Sequence, residues 1–178
     1  MNITDIKLPI LNLSKKDNFL KNLRFMYHLM VASEDLLKEA IPISKGWLKD
    51  YYTSHIEEER GHAKWLYDDL KGDVGDYDLT AAACAGTQYY LIKHVHPIAL
   101  LGYMSVLECH PMNLEIVSEL EKLHGKELCR CLRFHAENDV FHGADLEKIL
   151  GKVPAELENL VISNAIQTAS LIKYGLEG

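Results

Sequence analysis

The sequence predicts an all-α fold, a single-domain bundle of about seven helices over residues 1–178, with 1–13 as an extended leader. Three observations predict it. Apolar residues recur at the helical period along most of the chain. No segment alternates apolar and polar residues between turn residues, as a half-buried strand would. Prolines and glycines separate the helical stretches by short connections, and no linker, repeat or low-complexity tract divides the chain.

The elements follow in order. After the leader with Pro9, Ser14 is placed to cap a first helix running to about residue 41. Phe19, Leu23, Met26, Met30, Leu37 and Ile41 form its apolar stripe, and Pro42 ends it. A second helix is expected over about 44–71. The segment GDVGDYDLT, with two glycines and three acidic residues, reads as a loop. Helical pattern resumes over 80–93, breaks at His96-Pro97, and continues over 98–109 until Pro111 closes it. A short helix over 114–123 ends at Gly125. A long helix over 126–150 is stopped by Gly151 and Pro154, and a last one spans about 155–174.

The composition excludes several functions. The chain has 48% hydrophobic and 25% charged residues, as soluble globular proteins do. A net charge of −7 leaves no basic stripe to displace phosphate counterions, which argues against nucleic acid. Its apolar runs are too short to span a bilayer, and no signal peptide is visible at the start, so a cytoplasmic location is expected. Cys84, Cys109, Cys129 and Cys131 read as small core residues in a reducing compartment. On a helix the thiols of Cys129 and Cys131 point about 200° apart, a poor zinc clip. Cys109, between Glu108 and His110, keeps a nucleophilic role open.

The chemistry gathers in two segments. His55-Ile-Glu-Glu-Glu59-Arg-Gly-His62 and His135-Ala-Glu-Asn-Asp139-Val-Phe-His142 share one rule: a histidine, a carboxylate four residues on, and a histidine three after that. Such positions line one face of a helix over two turns. Imidazole nitrogens with carboxylate oxygens suit iron or manganese with open coordination positions, whereas structural zinc sites use fewer carboxylates and close their shell. Glu108, in the apolar run GYMSVLECHP, is costly to bury without a cation and complements both segments. Plainer readings stand beside these. Glu59 and His62 also fit a solvated helix face, and His55 fits either a partner of a ligand or an exposed residue. His94, His96, His110 and His124 lie near helix ends, where capping and solvation account for them. Tyr27, Trp47, Trp65, Tyr89 and Tyr103 read as core rather than as substrate wall.

HIEEERGHAKWLYDDL, HPIALLGYMSVLECHP and FHAENDVFHGADL, in that order, resemble the iron-containing redox enzymes of the heme-oxygenase-like fold. That group includes heme oxygenase, TenA thiaminases, the pyrroloquinoline-quinone synthase PqqC, the chlamydial CADD-type proteins and the UndA-type fatty acid decarboxylases. The likeness covers about residues 22–174 and is most specific in the H-x-x-x-D-x-x-H element, which the di-metal oxidases and oxygenases of the fold use. It implies Glu59, His62, Glu108, His135, Asp139 and His142 as ligands of two iron ions, Fe(II)/Fe(III), with manganese as the other metal. Many members carry a further glutamate seven residues before the histidine or on the first helix. Here the first position holds His55, and the first helix offers His28 and Glu34. With Glu58, these are the candidates for a further ligand or a residue supporting one.

The implied function is that of a non-heme di-iron oxidase or oxygenase, a cytoplasmic oxidoreductase in cofactor or natural-product biosynthesis. It would act with O2, a small-molecule substrate (an amino acid, a fatty acid or an aromatic precursor) and an electron donor, and a homodimer suits the fold. Three alternatives remain: a heme-binding or heme-degrading protein with His28 as proximal ligand, a TenA-like hydrolase using Cys109, and a metal-binding protein without catalysis.

Overall fold

The structure is a computed structural model and describes residues 12–177; most of the expected leader lies outside the described residues. Among them there are eight α-helices and no strand, arranged as a single helical bundle. The helices are α1 (Lys16–Ala40), α2 (Gly46–Glu59), α3 (His62–Asp69), α4 (Leu79–His94), α5 (Leu100–Glu108), α6 (Leu114–His124), α7 (Arg130–Leu150) and α8 (Ala155–Glu177).

Most boundaries have a local cause. Pro42 sits in a 3-10 turn after α1, where Ser44 donates from both its N–H and its hydroxyl to the Ala40 carbonyl. The Asp78 carboxylate accepts from Thr80 N–H and Ala81 N–H and caps α4. His96 Nδ1 accepts from Ile98 N–H across the proline break, and Asn113 caps α6. Gly125 ends α6 at φ +95°.

Two expectations need correction. Ser14 does not cap α1: its hydroxyl donates to Asn12 Oδ1 instead, and the helix starts at Lys16 without a side-chain cap. The helix expected over 44–71 is two helices. Gly61 takes φ +89°, a left-handed conformation that stops α2 at Glu59 and restarts the chain as α3 at His62. Glu59 and His62 thus flank a corner instead of sharing one helical face.

Packing explains the rest. Helix α1 buries Phe25, Leu29, Leu36 and Leu37 in the main core, while Phe19 and Leu23 belong to a second apolar cluster with Leu66, Leu70 and Leu120. A helix serving two clusters needs a wider stripe than the one read from its sequence. Trp65 and Tyr89, expected in the core, are partly exposed, whereas Tyr103 is fully buried.

Helix α5 is buried on nearly every side. It lies tightly on α8, so that a Cβ at Gly102 would stand 2.2 Å from the Val161 carbonyl oxygen. Glu108 is its last residue, so the most enclosed helix of the bundle delivers a carboxylate.

Candidate metal centre

Four elements converge on one cluster. Helix α2 contributes His55 and Glu59, α3 opens with His62, α5 ends in Glu108, and α7 carries His135, Asp139 and His142. Their ligand atoms form three overlapping triads, each with its atoms within 4.8 Å of one another: Glu59/His62/His135, His55/Glu59/Glu108 and Glu108/Asp139/His142. Glu59 and Glu108 each belong to two triads, so the cluster is a chain linked by shared carboxylates. Such triads can hold a metal ion or two.

The individual distances show how crowded it is. His62 Nδ1 lies 3.2 Å from Glu59 Oε2, and His142 Nδ1 lies 3.5 Å from Glu108 Oε2 and 3.7 Å from Asp139 Oδ1. His55 Nε2 stands 4.0 Å from Glu108 Oε1. Glu58, half exposed, approaches His55 Nδ1 at 3.7 Å and His142 Nε2 at 3.8 Å from outside.

Whether a cation fits can be tested on buried atoms that lack a partner. Glu59 Oε1, Glu108 Oε2, Asp139 Oδ1 and His142 Nδ1 are all shut off from solvent without a hydrogen bond. Buried polar atoms without a partner are expensive, and three carboxylate oxygens gathered around a ring nitrogen suit a site for a positive charge. A second feature agrees. His135 Nδ1 lies 2.8 Å from the Cys131 carbonyl oxygen. A carbonyl only accepts, so Nδ1 carries the proton and Nε2 keeps the lone pair that a metal ligand needs.

The electrostatics follow from the crowding of these groups. Burial, with Glu108 close by, pushes the Asp139 carboxyl up to about 8. The Glu108 carboxylate beside His142 raises that imidazole to about 9. Burial pulls His55 down, but Glu58, Glu108 and Glu59 outweigh it, and its pKa ends above the ordinary value. Glu59 is disfavoured as an anion by burial, yet the histidines around it hold its pKa below the usual carboxylate range. Protons thus balance carboxylates that cannot all stay charged together.

The other candidates lie elsewhere. His28, half-buried on α1, sits against Tyr27 and Tyr77 and belongs to none of the triads. Glu34 pairs with Lys38 at 2.9 Å. His55, for which the sequence left both a supporting and an exposed reading open, is only 4% exposed and faces Glu108. The free Cys109 is half-buried, and burial pushes its thiol up to about 11.

Asp69 is a residue that sequence reasoning passed over. Buried at the end of α3, its carboxylate accepts from Cys131 N–H at 2.7 Å and pairs with Arg130 at 2.7 Å. It thereby caps the start of α7 from another helix and ties the element carrying His62 to the one carrying His135. One acidic residue in DDL gave no sign of it.

A cavity of about 400 Å³ opens beside the cluster, with Glu59, Glu108, His135 and Asp139 in its wall. Among the described residues, no helix is long and apolar enough to cross a membrane. In comparisons with known proteins, no family model, no curated protein and no solved structure matches this chain.

Proposed function

We propose that this protein is a non-heme iron enzyme of the heme-oxygenase-like fold, using dioxygen to oxidise a small organic molecule. One observation carries the reading: three His/carboxylate triads joined through Glu59 and Glu108 leave four buried ligand atoms unpartnered beside a cavity. Glu59, His62 and His135 would hold one ion, and Glu108, Asp139 and His142 the other. His55, between Glu59 and Glu108, is the residue we assign as the additional ligand. Nitrogen and carboxylate donors in these numbers suit ferrous iron, with manganese as the alternative. The H-x-x-x-D-x-x-H spacing on α7 and its likeness to the di-metal oxidases favour iron and two ions. Held there, a pair of ferrous ions would supply electrons to dioxygen, which an external donor would restore.

The chain's own residues do the remaining work. The Cys131 carbonyl fixes the tautomer and plane of His135. Glu58 steadies His55 and His142 from the rim. Asp139 and His142 hold protons in the metal-free protein and release them when a cation takes their place. The apolar wall of the cavity keeps bulk water from the reacting end of the substrate. A thiol hydrolase fits less well, because Cys109 is held protonated at neutral pH.

The test is iron content after anaerobic loading and desalting. Wild type should retain about two irons per chain. His135→Ala and Glu108→Ala should each lose at least one, while Glu115→Ala, on the exposed face of α6, should lose none. Full retention by His135→Ala or Glu108→Ala would refute the ligand assignment.

A further inference from the structure

We propose that Trp65 is an oxidation site of this protein: when dioxygen reacts at the cluster without substrate, the indole gives up electrons through His62 and is hydroxylated unless a reductant in solution refills it. The source of the oxidising equivalents rests on the proposed iron chemistry; the position of the indole does not.

Trp65 stands about one turn along α3 from His62, the residue that opens that helix. Its ring centroid lies 4.8 Å from the His62 imidazole, which in turn lies 4.9 Å from that of His135. His62 is 3% exposed and Trp65 39%. The indole therefore touches a candidate ligand on one side and meets water on the other. Electron tunnelling falls off exponentially with distance, and packed rings keep the gap short. Indole is also among the most easily oxidised side chains. Phe134 packs against the same two histidines, but a benzene ring gives up an electron far less readily. Tyr51 stacks on His55 at a longer 5.7 Å. Trp47, the other tryptophan, precedes His55 on α2 by about 12 Å of helix and packs against the main core.

The cavity gives such an outlet a purpose. Dioxygen takes four electrons on its way to water, two from bound iron and two from the substrate. Without substrate, the second pair comes from the protein or from solution. Met26, Met30, Met112 and Cys131 line the cavity, and thioethers and thiols are readily oxidised. Their oxidation would put polar groups into the apolar wall. An electron drawn from Trp65 instead leaves the vacancy where a reductant in solution can fill it. A single electron lost and returned leaves no mark. With no reductant, the indole loses two electrons to the cluster, takes an oxygen atom from one water molecule and releases two protons.

The experiment uses the full chain, loaded anaerobically with ferrous iron and mixed with oxygenated buffer containing catalase, without substrate. Peptide mass spectrometry locates added oxygen. Electron paramagnetic resonance of protein made with ring-deuterated tryptophan identifies an indole radical. Oxygen is expected on most copies of Trp65 and on few of Trp47 or of the more exposed Tyr90, and ascorbate should suppress it. Trp65→Phe should abolish the indole radical, keep the iron, and move oxygen onto the cavity methionines or Cys131. Trp47→Phe should change none of these. Mapping on the unaltered chain keeps the test decisive should Trp65→Phe not fold. An unmodified Trp65 without an indole radical, in protein that holds iron and consumes dioxygen, would overturn the role of Trp65 alone. So would oxygen on Tyr51 in its place, equal oxidation of Trp47, or equal oxidation of Trp65 after zinc loading. Wild type that retains no iron would overturn the metal reading and this site together.

Discussion

Metal uptake by this protein should expel protons, and the cluster sets their number. Burial beside Glu108 pushes the Asp139 carboxyl up to about 8, and the Glu108 carboxylate raises His142 to about 9. At pH 7 both therefore hold nearly a full proton. A divalent ion bound by the Asp139 carboxylate and the His142 lone pair must displace them, giving release of about two protons from this pair. His55, raised above its ordinary value, adds to the count if it binds as well. By linkage, the apparent affinity should fall about a hundredfold between pH 7 and pH 6. Calorimetric titration with zinc, a redox-silent probe, in buffers of different ionisation enthalpy counts the protons directly. Asp139→Asn should lower the count by about one, and raising the pH above about 9.5 should remove most of it. Release of fewer than one proton at pH 7, or an affinity that is flat between pH 6 and 7, would show that Asp139 and His142 do not give up protons to the metal.

Four further outcomes follow from the same geometry. Both pKa values are raised in the folded state, so the metal-free fold holds these protons more tightly than the unfolded chain. Their stabilising contribution is complete below the unfolded values and is lost as pH rises through about 8 and 9, so zinc should raise Tm more at pH 8.5 than at pH 6.5. His55→Ala should weaken binding of the second iron at least about tenfold, measured by anaerobic titration; unchanged affinity would leave His55 a supporting residue only. Asp69→Ala removes the cap on Cys131 N–H and the Arg130 pair, and a loss of about 1–3 kcal/mol should lower Tm by several degrees. Gly102→Ala places a methyl group against the Val161 carbonyl and should destabilise by about 1–3 kcal/mol in denaturant unfolding, whereas Gly86→Ala on α4, with open space around it, should be neutral or stabilising.

The fold class was legible because its signals are local. Pro42, Pro97, Pro111 and Pro154 and the glycine at 125 mark helix ends by backbone chemistry alone, and the observed boundaries there fall within a few residues of the expected ones. Gly61 was missed for a related reason. A single glycine is tolerated inside a helical pattern, and only its left-handed conformation in the folded chain makes it a corner. On α7 the spacing of His135, Asp139 and His142 places them along one stripe, which any reading of helical period finds. What that stripe faces is a tertiary fact. His55 was ambiguous until α5 brought Glu108 within 4.0 Å of it. Asp69 acts across 62 residues of sequence, a separation over which spacing carries no information.

His55, Glu59, His62, Glu108, His135, Asp139 and His142 are proposed to hold two ferrous ions that react with dioxygen. The most direct test is anaerobic titration with ferrous iron, followed by mixing with oxygenated buffer in an oxygen electrode. Saturation near two irons per chain and rapid oxygen uptake proportional to bound iron are expected, both lost in Asp139→Ala. Saturation below one iron per chain, or oxygen uptake no faster than that of free iron in the same buffer, would contradict it.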